Sequence, residues 1–189
     1  EAGRPDDAIP RKAEHFCWVK GPGIMMLDYD PNPEVPPMDC NELVTVIREV
    51  APGLGNAAML WWPSASSRIK NSETGEDLTG LRGQRLYIHV ANAGDVPRAG
   101  KALVEALWAY GHGHIEISKS GAFLERTPVD SSVWQANRLD YAAGAFCKAP
   151  LYQDRGDPVI IPGEIEVVDT ATAIPDPSPE LQATVIANK

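Results

Sequence analysis

The sequence predicts a mixed α/β domain of the α+β kind, and three observations carry that reading. Short apolar runs of buried-strand type recur at Ile24-Met25-Met26-Leu27, Ala57-Ala58-Met59-Leu60-Trp61-Trp62 and Leu86-Tyr87-Ile88-His89-Val90. Between and after them lie two stretches with apolar residues at helical spacing. The 189 residues, 43% of them hydrophobic, are enough for one globular domain with its own core.

Taken in order, residues 1–14 are polar with Pro5 and Pro10 and are expected to form an N-terminal arm. His15-Phe16-Cys17-Trp18-Val19 is a strand candidate, and Gly21-Pro22-Gly23 breaks the chain before the run that leads into Asp28-Tyr29-Asp30. Pro31 and Pro33 end that run. Asp39, with Glu42 three residues on, has the pattern of a capping box; Leu43, Ile47 and Val50 form one face of the helix after it, which stops at Pro52-Gly53. From Ser64 to Gly83 the chain is rich in Ser, Gly, Asn and Thr and reads as loop. Asp95 starts the clearest helix, with Pro97 in its first turn, an apolar face of Ala99, Ala102, Leu103, Ala106, Leu107 and Tyr110, and Gly111 as its stop. His114 to Ser118 is a further strand candidate. Beyond Pro150 the density of Pro and acids rises; a hairpin is expected around Pro162-Gly163, and Pro175-Asp176-Pro177-Ser178-Pro179 reads as a linker. The chain thus divides into an arm (1–14), a body (15–150) and an acidic, Pro-containing extension (151–189).

The net charge of -9 argues at first against a nucleic-acid partner. Its distribution weakens that argument. Residues 151–189 hold seven acids against Arg155 and Lys189, a net of -5, and residues 1–15 add -1, which leaves a net of only -3 for residues 16–150. Cations bound by carboxylates would bring that remainder close to neutrality. Cys17, Cys40 and Cys147 form no CxxC or Cys/His cluster, so a reducing, cytoplasmic setting is the expectation. No apolar run reaches the roughly 18 to 20 residues that span a bilayer, so no membrane association is expected. The start at Glu1-Ala2-Gly3-Arg4 reads as that of a soluble piece of a longer protein.

Asp28-Tyr29-Asp30 is the sharpest chemical feature. Residues i and i+2 of a strand point the same way, so two carboxylates project from one face while Tyr29 points to the other. Such a pair repels itself unless cations intervene, and hard oxygen ligands suit Mg²⁺ or Mn²⁺, as two-metal phosphoryl transfer needs. The alternative is a solvated strand end entering an Asp-Pro turn. Ser64, Ser66 and Ser67, with Arg68 and then Gly80-Leu81-Arg82-Gly83-Gln84-Arg85, combine hydroxyls, glycines and guanidiniums that suit phosphate oxygens, without the order of a P-loop. They equally describe a surface loop with solvated arginines. Asp130 could add a third carboxylate or serve as an N-cap. His112-Gly113-His114 reads as a helix-terminating turn rather than a metal pair. Trp61, Trp62 and Trp134 read as core rather than as stacking platforms.

An apolar strand ending in Asp28-Tyr29-Asp30, a Ser-rich turn with an Arg/Gly strand, and a downstream Asp130 together resemble the archaeo-eukaryotic primase superfamily, particularly the primase-polymerases of plasmids, phages and integrated elements. The resemblance covers about residues 15 to 148. It implies an RNA-recognition-like, mostly antiparallel sheet flanked by helices. It also implies that Asp28, Asp30 and Asp130, with Asp140 in reserve, hold two Mg²⁺ or Mn²⁺ ions. The family's second motif carries a His that contacts the nucleotide's phosphates; here Arg85 stands in its place, and His89 faces the same side four residues on. Ser64, Ser66, Ser67, Arg85 and His89 are accordingly the expected nucleotide-binding residues, with Lys119 in Ser118 to Gly121 a weaker contact. The implied activity is DNA-templated primer synthesis or extension from nucleoside triphosphates on single-stranded DNA, with a helicase or template-binding module elsewhere in the intact protein. A catalytically inactive nucleotide-binding or nucleic-acid-binding module and a metal-dependent nuclease or phosphoesterase are the alternatives.

Overall fold

The computed structural model describes residues 8–32 and 35–189. The first half of the expected arm and Pro33 lie outside the described residues. The architecture is mixed α/β with antiparallel sheets. The main sheet has four strands in the order β1 (Gly23–Tyr29), β4 (Gln84–Val90), β2 (Met59–Pro63) and β8 (Val159–Ile161), every neighbouring pair antiparallel. Helix α1 (Cys40–Val50) connects β1 to β2, and β4 lies between these two strands. Helix α2 (Val96–Ala109) comes after β4. Two small ladders complete the strands: β3 (Ile69–Asn71) with β7 (Leu151–Gln153), and β5 (His114–Ile117) with β6 (Phe123–Arg126).

Strand alternation divides the main sheet into two faces. Met25, Leu27 and Tyr29 of β1 and Leu86, Ile88 and Val90 of β4 are buried in one core with Leu43, Val44 and Ile47 of α1 and Ala99, Leu103 and Leu107 of α2. Gln84 is fully buried on the same face and satisfied: its Nε2 donates to the Met38 carbonyl at 2.6 Å and its Oε1 accepts from Trp61 Nε1 at 2.7 Å. Ile24, Met26 and Asp28, with Arg85, Tyr87 and His89, occupy the opposite, open face.

The helices start as their sequences require. Asp39 caps α1 in a full capping box, with Asp39 Oδ1 accepting from the Glu42 N–H at 2.9 Å and Glu42 Oε2 accepting from the Asp39 N–H at 2.7 Å. Asp95 sits at the start of α2 but makes no cap hydrogen bond. Its carboxylate takes a two-pronged bond from Arg98, at 2.6 and 2.7 Å, and one from the Thr170 hydroxyl.

Several expectations are corrected. His15–Val19 is not a strand: a 3-10 turn covers Ala13–His15, and residues 16–19 pair with no ladder partner. Tyr110 is half-exposed at the C-cap of α2 instead of completing its buried face. The polar stretch after Ser64 contains β3. No hairpin forms at Pro162-Gly163; β8 pairs with β2, and Ile165 bridges Ala57 in parallel. A Cβ on Gly163 would meet the Asn56 carbonyl oxygen at 2.4 Å, which is why a glycine stands there.

The stretch 151–189, expected as an extension or linker, is woven into the fold. It supplies β7, the edge strand β8, α3 (Thr170–Ala173) and α4 (Pro179–Asn188), and it buries Val168, Thr170, Ile174 and Val185. Ser178, inside the expected linker, caps α4 through the Leu181 N–H at 3.2 Å. Apolar residues spaced singly among acids and prolines carry this packing, and composition averages hide them. Among the described residues no helix is long and apolar enough to cross a membrane.

Candidate active site

Strand β1 ends at Tyr29, whose ring is buried and whose hydroxyl accepts the Met38 N–H at 2.8 Å, tying down the loop that leads to α1. With Tyr29 turned inward, Asp28 faces out of the sheet, and Asp30 lies just beyond the strand. The third carboxylate arrives from the other side of α2. Val129 forms an antiparallel bridge with Tyr29, and the Asp130 N–H donates to the Asp28 carbonyl at 2.9 Å. The chain thus continues the sheet past the free edge of β1 for a single bridge, long enough to set Asp130 beside the pair.

The electrostatics reflect this proximity. Burial pushes the Asp28 carboxyl up to about 6; Arg85 opposes the shift, and Asp30 and Asp130 reinforce it. Asp30 is also raised, by burial and then by Asp130, against Arg85, Arg126 and Arg82. Asp130 Oδ1 accepts the Ser132 N–H at 2.8 Å and Oδ2 accepts the Ser132 hydroxyl at 2.7 Å, capping the turn Ser131–Trp134. The N-cap role that the sequence left open is therefore filled, and each carboxylate oxygen still keeps a lone pair. The Asp30 carboxylate has no hydrogen-bond or ion-pair partner among the described residues. A cavity of about 350 Å³ opens on Asp30 and Asp130 and is lined on its far side by His114, Glu116 and Arg126.

Arg85 lies directly opposite Asp28 across the β1–β4 ladder. Its side chain is nearly buried; Nε stands 3.5 Å from Asp28 Oδ1, and Nη1 reaches Asp140 Oδ1 at 2.5 Å and the Tyr141 carbonyl at 2.8 Å. The reserve carboxylate Asp140 thus serves as a partner of Arg85 and of the Tyr87 hydroxyl, which donates to it at 2.8 Å. Burial and this bond push the Tyr87 phenol up to about 12.

The other expected nucleotide-binding residues are not gathered at this point. Ser67 is fully buried; its hydroxyl donates to the Gly83 carbonyl and accepts the Arg82 N–H, both at 2.9 Å. Ser64 is nearly buried and shares a 2.8 Å bond with the exposed Ser66, and Gln153 Nε2 ties the turn down through the Ser67 carbonyl at 2.8 Å. These hydroxyls build the turn, and of the three only Ser66 reaches solvent. His89 pairs with Ile24 at the other end of β4, about 13 Å from Arg85 at the usual rise per residue. Lys119 sits at the exposed tip of the β5–β6 hairpin.

Two arginines beside the site were not singled out from the sequence. Arg126 lines the cavity and is held by Glu116 at 2.7 Å. Arg155 stacks over the Trp62 ring at 3.8 Å, and Trp62 is the β2 neighbour of Arg85. The one signal for Arg155 is its isolation, a lone guanidinium within an acidic stretch.

Among the described residues no group of three or more His, Cys, Asp or Glu side chains is arranged to hold a metal ion. The donor chemistry of Asp28, Asp30 and Asp130 nevertheless fits a hard divalent cation: all ligands are oxygens, and burial together with mutual repulsion raises the carboxyls of Asp28 and Asp30 in spite of the nearby arginines. No family model, no curated protein and no solved structure matches this chain.

Proposed function

We propose that this chain is a metal-dependent nucleotidyltransferase of the primase-polymerase kind, joining nucleoside triphosphates on a single-stranded DNA template. The observation that carries the reading is the arrival of Asp130 beside Asp28 and Asp30 through the Tyr29–Val129 bridge. Three acids, one of them far from the others in sequence, share one end of one strand, where the fold gains nothing from their mutual repulsion. The topology lends support. A strand–helix–strand unit with β4 inserted between its strands, then a second helix and a return of the chain to the free edge of β1, is the connectivity of an RNA-recognition-like sheet.

Asp28, Asp30 and Asp130 would hold Mg²⁺ or Mn²⁺. When bound, the ions would activate an attacking hydroxyl and stabilise the leaving pyrophosphate. Arg85 fixes the orientation of Asp28 and offers positive charge to phosphate oxygens. Arg126, across the cavity from Asp30, offers a second guanidinium to the same ligand. The exposed end of that sheet face, at Ile24 and His89, gives a template strand room to lie. A helicase or template-binding partner in the intact protein belongs to the same proposal.

The Arg85–Asp28 pair favours a second reading, a nucleotide-binding module without catalysis, because an arginine in contact with one acid of the trio supplies the charge a cation would otherwise bring.

The test is incubation with single-stranded DNA, ribo- and deoxyribonucleoside triphosphates and Mn²⁺ or Mg²⁺, with and without an annealed primer, read on denaturing gels. New or extended strands that vanish in Asp28→Ala and Asp30→Ala support the transferase. Metal-independent triphosphate binding without synthesis supports the binding module, and release of nucleotides from the DNA makes the chain a nuclease.

A further inference from the structure

Residues 139–147 cross the open face of the main sheet without joining any ladder. Among the described residues no backbone-to-backbone hydrogen bond holds this strap. Side chains beneath it do. The Asp140 carboxylate takes Arg85 Nη1 at 2.5 Å and the Tyr87 hydroxyl at 2.8 Å. The Tyr141 carbonyl takes Arg85 Nη1 at 2.8 Å, the Ala142 carbonyl takes Arg155 Nη2 at 2.7 Å, and the Ala145 N–H donates to Gln153 at 2.7 Å.

Apolar burial does not explain why the strap lies here. Leu139, Tyr141 and Phe146 are 55%, 63% and 92% exposed. What docks is a run of three oxygens, from Asp140, Tyr141 and Ala142, set against two guanidiniums. Of the two, Arg155 is poorly accommodated by the fold itself: burial and then the nearness of Arg85 disfavour its charge, whereas at Arg85 burial is outweighed by Asp140 and Asp28. A pair of arginine forks kept close together against their repulsion, with Trp62 as the wall under one of them, is a receptor for an anion with several oxygens.

We infer that Arg85 and Arg155 form a phosphate-binding pair and that the strap 139–147 is the internal competitor that occupies it until a phosphate displaces Asp140. A triphosphate brings more charge and more acceptor oxygens to the two forks than one carboxylate and two carbonyls, and adjacent phosphodiesters of a strand bring one charge and two free oxygens each. Its source is either the triphosphate of a free nucleotide or the phosphodiesters of a strand, and the shared chemistry is the oxyanion. The displaced strap carries its exposed Leu139, Tyr141 and Phe146 away from the sheet and uncovers the Tyr87 ring. This site does not require the transferase reading, because it needs neither the metal nor catalysis.

The experiment is calorimetric binding of inorganic tripolyphosphate and, separately, of a single-stranded oligodeoxynucleotide to the whole chain in chelator, with hydrogen exchange of residues 139–147 monitored in parallel. Binding is expected to speed exchange in the strap. Asp140→Ala should tighten it about tenfold, and Arg155→Ala should weaken it by about the same factor. Tyr87→Phe removes one hold on Asp140 without uncovering a charge, and it should shift affinity in the same direction as Asp140→Ala even if that variant folds poorly. Tightening seen with tripolyphosphate assigns the site to triphosphates, and tightening seen with the oligonucleotide alone assigns it to a strand. If neither probe binds, or if both Asp140→Ala and Tyr87→Phe leave affinity unchanged or lower it, the inference is overturned. Loss of synthesis in the metal-containing assay with this binding intact would sink the transferase reading alone.

Discussion

The main-chain N–H of Asp130 donates to the main-chain carbonyl of Asp28 at 2.9 Å. Because backbone atoms make this bond, the positions of the two carboxylates do not depend on their side chains. Replacing a carboxylate by its amide therefore alters charge while leaving the strand end where it is, and differences between such variants report electrostatics.

Asp28→Asn is expected to be more stable than the parent at pH 8 and equal to it near pH 3. In the folded chain the Asp28 carboxyl titrates at about 6 against an ordinary value of 3.8, so the folded state holds this proton more tightly than the unfolded one. The stability contributed by the protonated acid is complete below the ordinary value and is lost as pH rises through 6. Neutral Asn escapes that loss, a gain of at most about 3 kcal/mol at pH 8. Urea denaturation at the two pH values checks it; a variant less stable than the parent at pH 8 would show that the contact with Arg85 outweighs burial.

Divalent cation binding should release about half a proton from Asp28 near pH 6 and none at pH 8. A cation favours the ionised form of the acids that ligate it and pulls the Asp28 carboxyl down from its raised value. Titration of Mn²⁺ at pH 6 in two buffers of different ionisation enthalpy should give different apparent heats. The difference should shrink in Asp28→Asn, leaving only what Asp30 contributes. Equal heats for the parent chain would remove Asp28 from the ligand set.

How much of this was legible in the sequence depended on the reach of the interactions. The Asp39–Glu42 capping box, the buried faces of α1 and, short of Tyr110, of α2, and the inward Tyr29 between outward acids all derive from local spacing, and the structure has them where the spacing put them. The Val129 bridge, the pairing of Arg85 with Asp28, and β8 on the edge of β2 are choices of register between distant segments, which no local period encodes. Ser67 misled for a related reason. A hydroxyl in a Ser-rich turn looks available to a ligand until the chain around Gly83 folds over it.

Ser67→Ala should cost about 1 to 2 kcal/mol of stability and leave phosphate affinity unchanged. The hydroxyl is fully buried between the Gly83 carbonyl and the Arg82 N–H, so its removal leaves both without this partner. Thermal melts and triphosphate titration separate the two effects, and a large loss of affinity in a well-folded variant would return Ser67 to the binding site.

Gly100→Ala should destabilise, against the usual gain of about 1 kcal/mol for that change inside a helix. A Cβ at this point of α2 would lie 2.2 Å from the Trp134 ring. Trp134 cannot swing aside freely, because its Nε1 donates to the Met26 carbonyl at 2.8 Å. Overpacking of this kind costs about 1 to 3 kcal/mol. Since Trp134 closes the turn that Asp130 caps, the same variant should weaken Mn²⁺ binding; unchanged stability would mean that the turn yields without cost.

Ending the chain after Pro150 should abolish cooperative folding, although composition marks residues 151–189 as a tail. The cut strips β8 from β2 and leaves that edge unpaired, an invitation to aggregation. It also removes Val168, Ile174 and Val185 from the core and Thr170 from the Asp95–Arg98 pair. A graded version is Arg98→Ala, which deletes the bonds to Asp95, to the Thr170 and Ile174 carbonyls and to Asp176 and should cost about 2 to 3 kcal/mol. Size exclusion and thermal melts distinguish the outcomes. A shortened chain that stays monomeric with the parent's melting temperature would show that the core of β1, β4, β2, α1 and α2 stands without the segment, and the fold would then end where the acids begin.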